Sequence, residues 1–229
     1  MSLTNDNKLL KTVKNAKIND IYLIFNTERS NMQTFKEFID KNIGVSDEEW
    51  GLLESSMKVK HYKKGEEITF NDDIWTDIIY INSGLIRSYI ITDTGKDFTR
   101  QLYFNTNESH TANLFVIDFT SILTQTPSNR GFEVLADSEV FVFSKENIYA
   151  LYDAYKKWEH IGRIMAELAY MNMDTYYYGL LTKNATERYL HLKKTMSGLI
   201  DKTPQYHIAS YLGITPVSLS RIKKALKEN

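Results

Sequence analysis

The stretch Gln205-Tyr-His-Ile-Ala-Ser-Tyr-Leu-Gly-Ile-Thr-Pro-Val-Ser-Leu-Ser-Arg-Ile-Lys-Lys-Ala-Leu226 decides how the chain is read. Its apolar spacing and punctuation are those of two short helices joined by a tight turn. Ala209 is small where two helices must cross closely, and Gly213 permits a left-handed backbone in the turn. Thr215 is a natural N-cap, and Pro216 takes the first helical position, where a missing N–H costs nothing. Unrolled at about 100° per residue, the second helix carries Leu219, Ile222 and Leu226 on one side. Val217, Ser220, Arg221 and Lys224 fall on the other. Ile208, Leu212 and Ile214 supply apolar partners for the buried side. The outward side then offers an arginine able to fork onto a guanine edge, a hydroxyl, and lysines suited to phosphate. An ordinary helical hairpin with a solvated basic face would share the charge but not the joint occurrence of Ala, Gly, Thr-Pro and paired apolar positions. The pattern predicts a helix-turn-helix whose second helix lies in a DNA major groove. Its candidate contacts are Thr215, Val217, Ser218, Ser220, Arg221, Lys223 and Lys224.

Charge agrees locally. The chain of 229 residues has 28 basic and 29 acidic side chains, which gives no overall nucleic-acid signal. From Lys183 to Asn229, however, nine Lys/Arg stand against three Asp/Glu. An acidic body joined to a basic tail is what a DNA reader with a separate sensing domain would show.

Length and an apolar content of 42% suffice for one large or two smaller domains with a real core. No apolar run approaches the ~18 residues of a membrane span, and Leu9 and Leu10 are followed by lysines rather than a signal-peptide core. A cytoplasmic protein with no membrane partner is expected. The absence of cysteine excludes disulfides and cysteine-ligated iron–sulfur clusters. His61, His110, His160, His191 and His207 have no metal-ligand spacing, so no metal or cofactor is expected. Neither a phosphate-cradling Gly loop nor a nucleophile–base pair is recognisable, and an enzyme is not expected.

Residues 1–31, with lysines at 8, 11, 14 and 17, read as a loosely held extension. Phe35, Phe38 and Ile39 form a helical stripe, and Ser46-Asp-Glu-Glu49 is a capping box opening a helix with Trp50, Leu52 and Leu53. Residues 57–143 are rich in β-branched and aromatic runs such as Ile78–Ile81, Ile86–Ile91 and Val140–Phe143. Turn signals at Lys64-Gly65, Asn71–Asp73, Asn82–Gly84 and Asp93–Gly95 punctuate them about every ten residues. That spacing predicts a small sandwich or barrel of about eight strands, interrupted between Asn105 and Arg130 by a segment with a short helix. Ser144 then caps a long helix running to about Leu181. Its heptads place Leu151, Trp158, Met165 and Asn172 at one core position and Ala154, Ile161 and Leu168 at the other. A single Asn among apolar positions favours a two-stranded pairing, with a second stripe, Ile164, Met171 and Tyr178, turned to the β-domain; the alternative is that both stripes pack within one subunit.

This order of parts resembles the Crp/Fnr family of bacterial transcription regulators over about residues 35–226. The resemblance is carried by Ile208–Thr215, Ser218-Leu-Ser-Arg-Ile222 and Ala185-Thr-Glu-Arg-Tyr189, with Gly84-Leu-Ile-Arg87, Tyr89 and Gly95 as weaker signals. It implies an α+β chain: a β-roll sensor over 32–145, a dimerisation helix over 146–181 and a helix-turn-helix domain over 182–229 without an evident wing. It further implies a homodimer binding a palindromic double-stranded DNA site, with RNA polymerase and a small-molecule effector as further partners. The dimer seam would use Leu151, Trp158, Ile161, Met165, Leu168 and Asn172. By position Arg221 matches the family's guanine-reading arginine and Ser220 a contact of one branch. Val217 and Pro216 replace residues that many members use on DNA, so the operator should differ. The sensor departs further: the stretch corresponding to the family's cyclic-nucleotide cradle, Phe115–Thr120 through Pro127–Gly131, has no Gly-Glu pair, and Arg130 is followed by Gly131 rather than Ser or Thr. Only Asp118 and Arg130 remain as candidate effector contacts, so cyclic AMP is expected to bind weakly or not at all. The residues leave open a ligand-sensing module that acts through protein partners and carries a vestigial reader.

Overall fold

The computed structural model describes residues 35–69, 74–106, 109 and 111–228. The lysine-rich extension, the turn signal at Asn71–Asp73 and His110 lie outside them. Two helices, α1 (Phe35–Ile43) and α2 (Asp47–Ser56), open the described chain. The capping box at α2 is as read: Ser46 Oγ accepts from Glu49 N–H, and Glu49 Oε2 accepts from Ser46 N–H at 2.8 Å. An antiparallel sheet follows, built from β1 (Lys58–Tyr62), β2 (Asp77–Ile91), β3 (Asp97–Phe104), β4 (Phe115–Val116) and β5 (Gly131–Ser144). Its strand order is β1-β5-β2-β3, with β4 paired to β2. Short helices α3 (Thr111–Leu114) and α4 (Phe119–Thr124) fill the segment before β5.

Five described strands replace the eight expected because two are long. Asn82-Ser-Gly84 is not a turn but an irregularity inside β2, where the register against β5 shifts on both sides of Ser83. Gly84 sits at φ +105°, and a Cβ there would fall 2.1 Å from Ser138 Oγ. The shift changes side-chain parity, so Ile86 joins Ile79 and Ile81 on the inner face. With Trp75, Tyr103, Phe132, Val134, Val140 and Val142 they fill the interior of the roll. Trp75 and Phe132 lie with ring centroids 4.3 Å apart. The turns at Lys64-Gly65 and Asp93–Gly95 are present.

The long helix also differs from its reading. Ser144 caps α5 (Lys145–Ala154), which ends at Tyr155 in extended conformation (φ −136°, ψ 109°); a separate helix α6 (Lys156–Thr182) begins beyond it. The break lets Trp158 turn into a core with Phe35, Leu53, Tyr80, Phe143 and Leu151. Lys157 pins the same junction, pairing with Glu49 at 2.7 Å and donating to the Gly44 carbonyl. Four C-terminal helices follow: α7 (Ala185–Thr195), α8 (Ser197–Ile200), α9 (Gln205–Tyr211) and α10 (Pro216–Glu228). Asn184 opens α7 through a second capping box with Glu187. No helix among the described residues is long and apolar enough to cross a membrane.

Candidate nucleic-acid interface

Helices α9 and α10 form the helix-turn-helix. Gly213 joins them at φ +68°, and the Ile214 N–H returns to the Ala209 carbonyl at 2.9 Å. Thr215 caps α10: its Oγ1 accepts from Ser218 N–H at 3.1 Å, and its carbonyl accepts from Leu219 N–H. Ile208, Ala209, Leu212 and Leu219 are buried in a cluster with Tyr189, Leu192 and Met196, and Ile214, Ile222 and Leu226 pack against it. This cluster leaves one face of α10 outward. Val217 is 60% exposed, and Ser220, Arg221 and Lys224 are exposed beside it. Arg221 has no ion-pair or hydrogen-bond partner among the described residues.

The other expected contacts have duties inside the domain. Thr215 and Ser218 spend their hydroxyls on the cap and on each other, 2.9 Å apart. Lys223 is half-buried and donates to Gln205 Oε1 at 2.8 Å. With Ser220, Lys224 and Lys227 this pair lines an open groove between the start of α9 and α10, a basic track suited to a phosphate backbone. Gln205 was not expected as a contact; its place at the start of the first helix was the available signal.

The dimer residues are placed differently from their reading. Leu151, Trp158, Ile161 and Leu168 are buried within the chain, and Met165 and Asn172 are half-buried. From Trp158 to Asn172 these residues form one continuous stripe of α6, whose Trp158, Ile161 and Leu168 turn inward. The apolar stripe that faces outward on α6 is Ala166, Tyr170, Met173, Tyr177 and Leu181, with the last four 50–68% exposed.

In the roll, Asp118 is 1% exposed and already engaged. It caps α4 by accepting from the Thr120 and Ser121 N–H groups, and it accepts from Ser128 Oγ at 2.7 Å. Arg130 NH1 approaches it at 3.6 Å, and the buried Arg130 Nε has no hydrogen-bond partner. Burial, then the nearby Arg100, lowers the Arg130 pKa. The two expected effector residues are thus brought together, but against one another. A second charged group is fully built. Arg87, 4% exposed, reaches Asp97 and Glu133 at 2.6 Å each and Thr99 at 3.1 Å, and its guanidinium stacks on Tyr89. Burial, with the Glu67 carboxylate accepting its hydroxyl, pushes Tyr89 up to about 12. Among the described residues no group of three or more His, Asp or Glu is placed to hold a metal ion.

No protein-family model and no curated protein sequence matches the chain. Solved structures do. FixK2 from Bradyrhizobium japonicum superposes with a TM-score of 0.61 at 15% identity, covering 75% of this chain and 85% of that one. A transcriptional regulator of the Crp/Fnr family from Eubacterium rectale superposes at 0.60 with 16% identity, covering 80% and 84%. The c-di-GMP-responsive global regulator CLP of Xanthomonas campestris gives 0.57 at 14% identity, covering 78% and 92%. The chain shares the fold of Crp/Fnr regulators, an antiparallel β-roll followed by a long helix and a C-terminal helix-turn-helix.

Proposed function

We propose that the protein is a homodimeric, sequence-specific DNA-binding transcription regulator. The observation that carries this reading is the outward face of α10, where Val217, Ser220, Arg221 and Lys224 stand exposed on a helix whose opposite face is locked in a core. Arg221 reads a guanine edge, Val217 meets a thymine methyl, and Lys223, Lys224 and Lys227 follow the phosphates. Two copies pair through the outward stripe of α6, centred on Tyr170, Met173 and Tyr177. The pairing presents two α10 helices to half-sites about 34 Å apart.

The roll does not take cyclic AMP in this reading. Asp118 is committed to capping α4 and to Arg130, and the interior is filled by Trp75, Tyr103 and Phe132. A buried cyclic phosphate would forgo charge-assisted bonds of roughly 1.5–3 kcal/mol each. Calorimetry should register no micromolar binding of cyclic AMP.

The test of the reader is Arg221→Ala on a selected duplex. Discrimination at one base pair per half-site should fall by about 1–3 kcal/mol, while the steep loss of affinity with salt is kept. A variant that binds every site as tightly and selectively as the parent removes Arg221 from the reading face.

A further inference from the structure

The helix-turn-helix is seated on the β-roll as well as on its own core. In the sheet order, β3 is an edge strand, with a row of backbone groups facing away from β2. Ser210 of α9 occupies that edge: its Oγ accepts from Thr99 N–H at 2.7 Å and donates to the Asp97 carbonyl at 3.2 Å. A single hydroxyl thereby satisfies groups that a neighbouring strand would otherwise pair. Leu85, Leu102, Phe104 and Leu135 of the sheet share one apolar cluster with the helix-turn-helix core. Tyr176 of α6 closes the seat by donating to the Tyr211 carbonyl at 2.7 Å.

His207 lies one turn before Ser210 in the same seat. Its Nδ1 is fully covered and has no hydrogen-bond partner. The charged groups facing it are Arg87 from β2, Asp97 from β3 and Glu133 from β5. On its own helix the Tyr206 ring stands edge-on to the imidazole. From α10, on the other side of α9, Lys223 is drawn to Gln205 instead. Asp97 with both oxygens and Glu133 with Oε2 are turned to Arg87, and neither accepts from His207 Nδ1. A protonated His207 would carry a cationic donor at the covered Nδ1 with no acceptor there.

We propose that α9 is a proton-sensitive latch: the Ser210–β3 hydrogen bonds hold the DNA reader on the β-roll, and protonation of His207 opens the seat. Burial and Arg87 together outweigh Asp97 and Glu133 and lower the His207 pKa in the seated form. The seated form therefore binds fewer protons than the released one. Seating is full above the ordinary histidine pKa of about 6.5 and weakens as the pH falls through it. The β-roll and the reader are in this way coupled by a contact that does not involve the roll's interior.

Hydrogen exchange on the full-length protein tests this, read as protection factors so that intrinsic pH effects cancel. The Thr99 amide reports the seat, and the Val134 amide, bonded to the Glu66 carbonyl, reports the roll alone. Between pH 8 and 5.5, Thr99 protection should fall about three- to tenfold while Val134 holds. The His207 imidazole, followed by NMR in the unaltered chain, should titrate over the same interval. His207→Gln should abolish the step, and Ser210→Ala should lower Thr99 protection at every pH. A Thr99 protection that stays flat across the range, or a step that survives in His207→Gln, overturns the proposal.

Discussion

Replacing Arg87 by Met removes the one cation that, among the described residues, pairs with both Asp97 and Glu133 between β2, β3 and β5. Arg87 is 4% exposed, whereas Asp97 and Glu133 retain 24% and 25% of their side-chain exposure. Breaking a buried pair by removing one partner costs about 3–5 kcal/mol, chiefly because the other charge is left stranded. Solvent reaches a quarter of each carboxylate here, so the lower end applies, about 3 kcal/mol. For a chain of this length that lowers the melting temperature by about 6–12 °C. The stacked Tyr89 ring, 4.3 Å from the guanidinium carbon, loses a cation–π partner as well. Urea unfolding followed by fluorescence of the buried Trp75 is the assay. Adding Asp97→Asn and Glu133→Gln to the Met variant should restore at least half of the loss, which exposes the coupling among the three. A loss below about 1 kcal/mol, the range of exposed ion pairs, would show the network to be no more than surface charge.

Gly84→Ala should destabilise the roll far more than Gly213→Ala does the turn. A Cβ at Gly84 meets Ser138 Cα at 2.6 Å, whereas one at Gly213 meets only Leu180 and Phe98 at 3.7 Å and costs the left-handed backbone penalty of about 1–2 kcal/mol. Comparative urea melts check the order, and equal losses would contradict the bulge at Gly84. Tyr170→Glu combined with Tyr177→Glu should convert dimer to monomer in sedimentation while the fold is kept. Trp158→Ala, by contrast, should cost about 3–5 kcal/mol of folding stability because that ring lies inside the core. If the Trp158 variant separates protomers without loss of stability, the seam is where the heptads first put it.

What could be read along the chain was what depends on neighbours in sequence. The box at Ser46 and Glu49, the cap at Thr215 and the left-handed Gly213 are local devices, and all three are formed. The two faces of α10 follow from one helical period. Gly84 misled because a glycine after Asn-Ser signals a turn, while its purpose here is a close approach to Ser138, a residue far along the chain. The break at Tyr155 carries no Gly or Pro; it exists because Trp158 and Lys157 are drawn to α1, α2 and β5. Asp118 looked available because its Ser128 and Arg130 partners come to it only in the folded chain, although its cap on α4 is as local as that of Thr215. Ser210 gave no signal at all, since a serine within a short helix announces nothing about a strand edge on another part of the chain.

In the proposed function the exposed face of α10 reads DNA sequence as one half of a symmetric pair. Selection of bound duplexes from a random pool by the full-length protein tests it most directly. The expected outcome is enrichment of a two-fold-symmetric site, its half-sites about 10 base pairs apart with a guanine in each, and loss of that guanine preference in Arg221→Ala. A pool that shows no enriched palindrome, at low salt as at physiological salt, would contradict it.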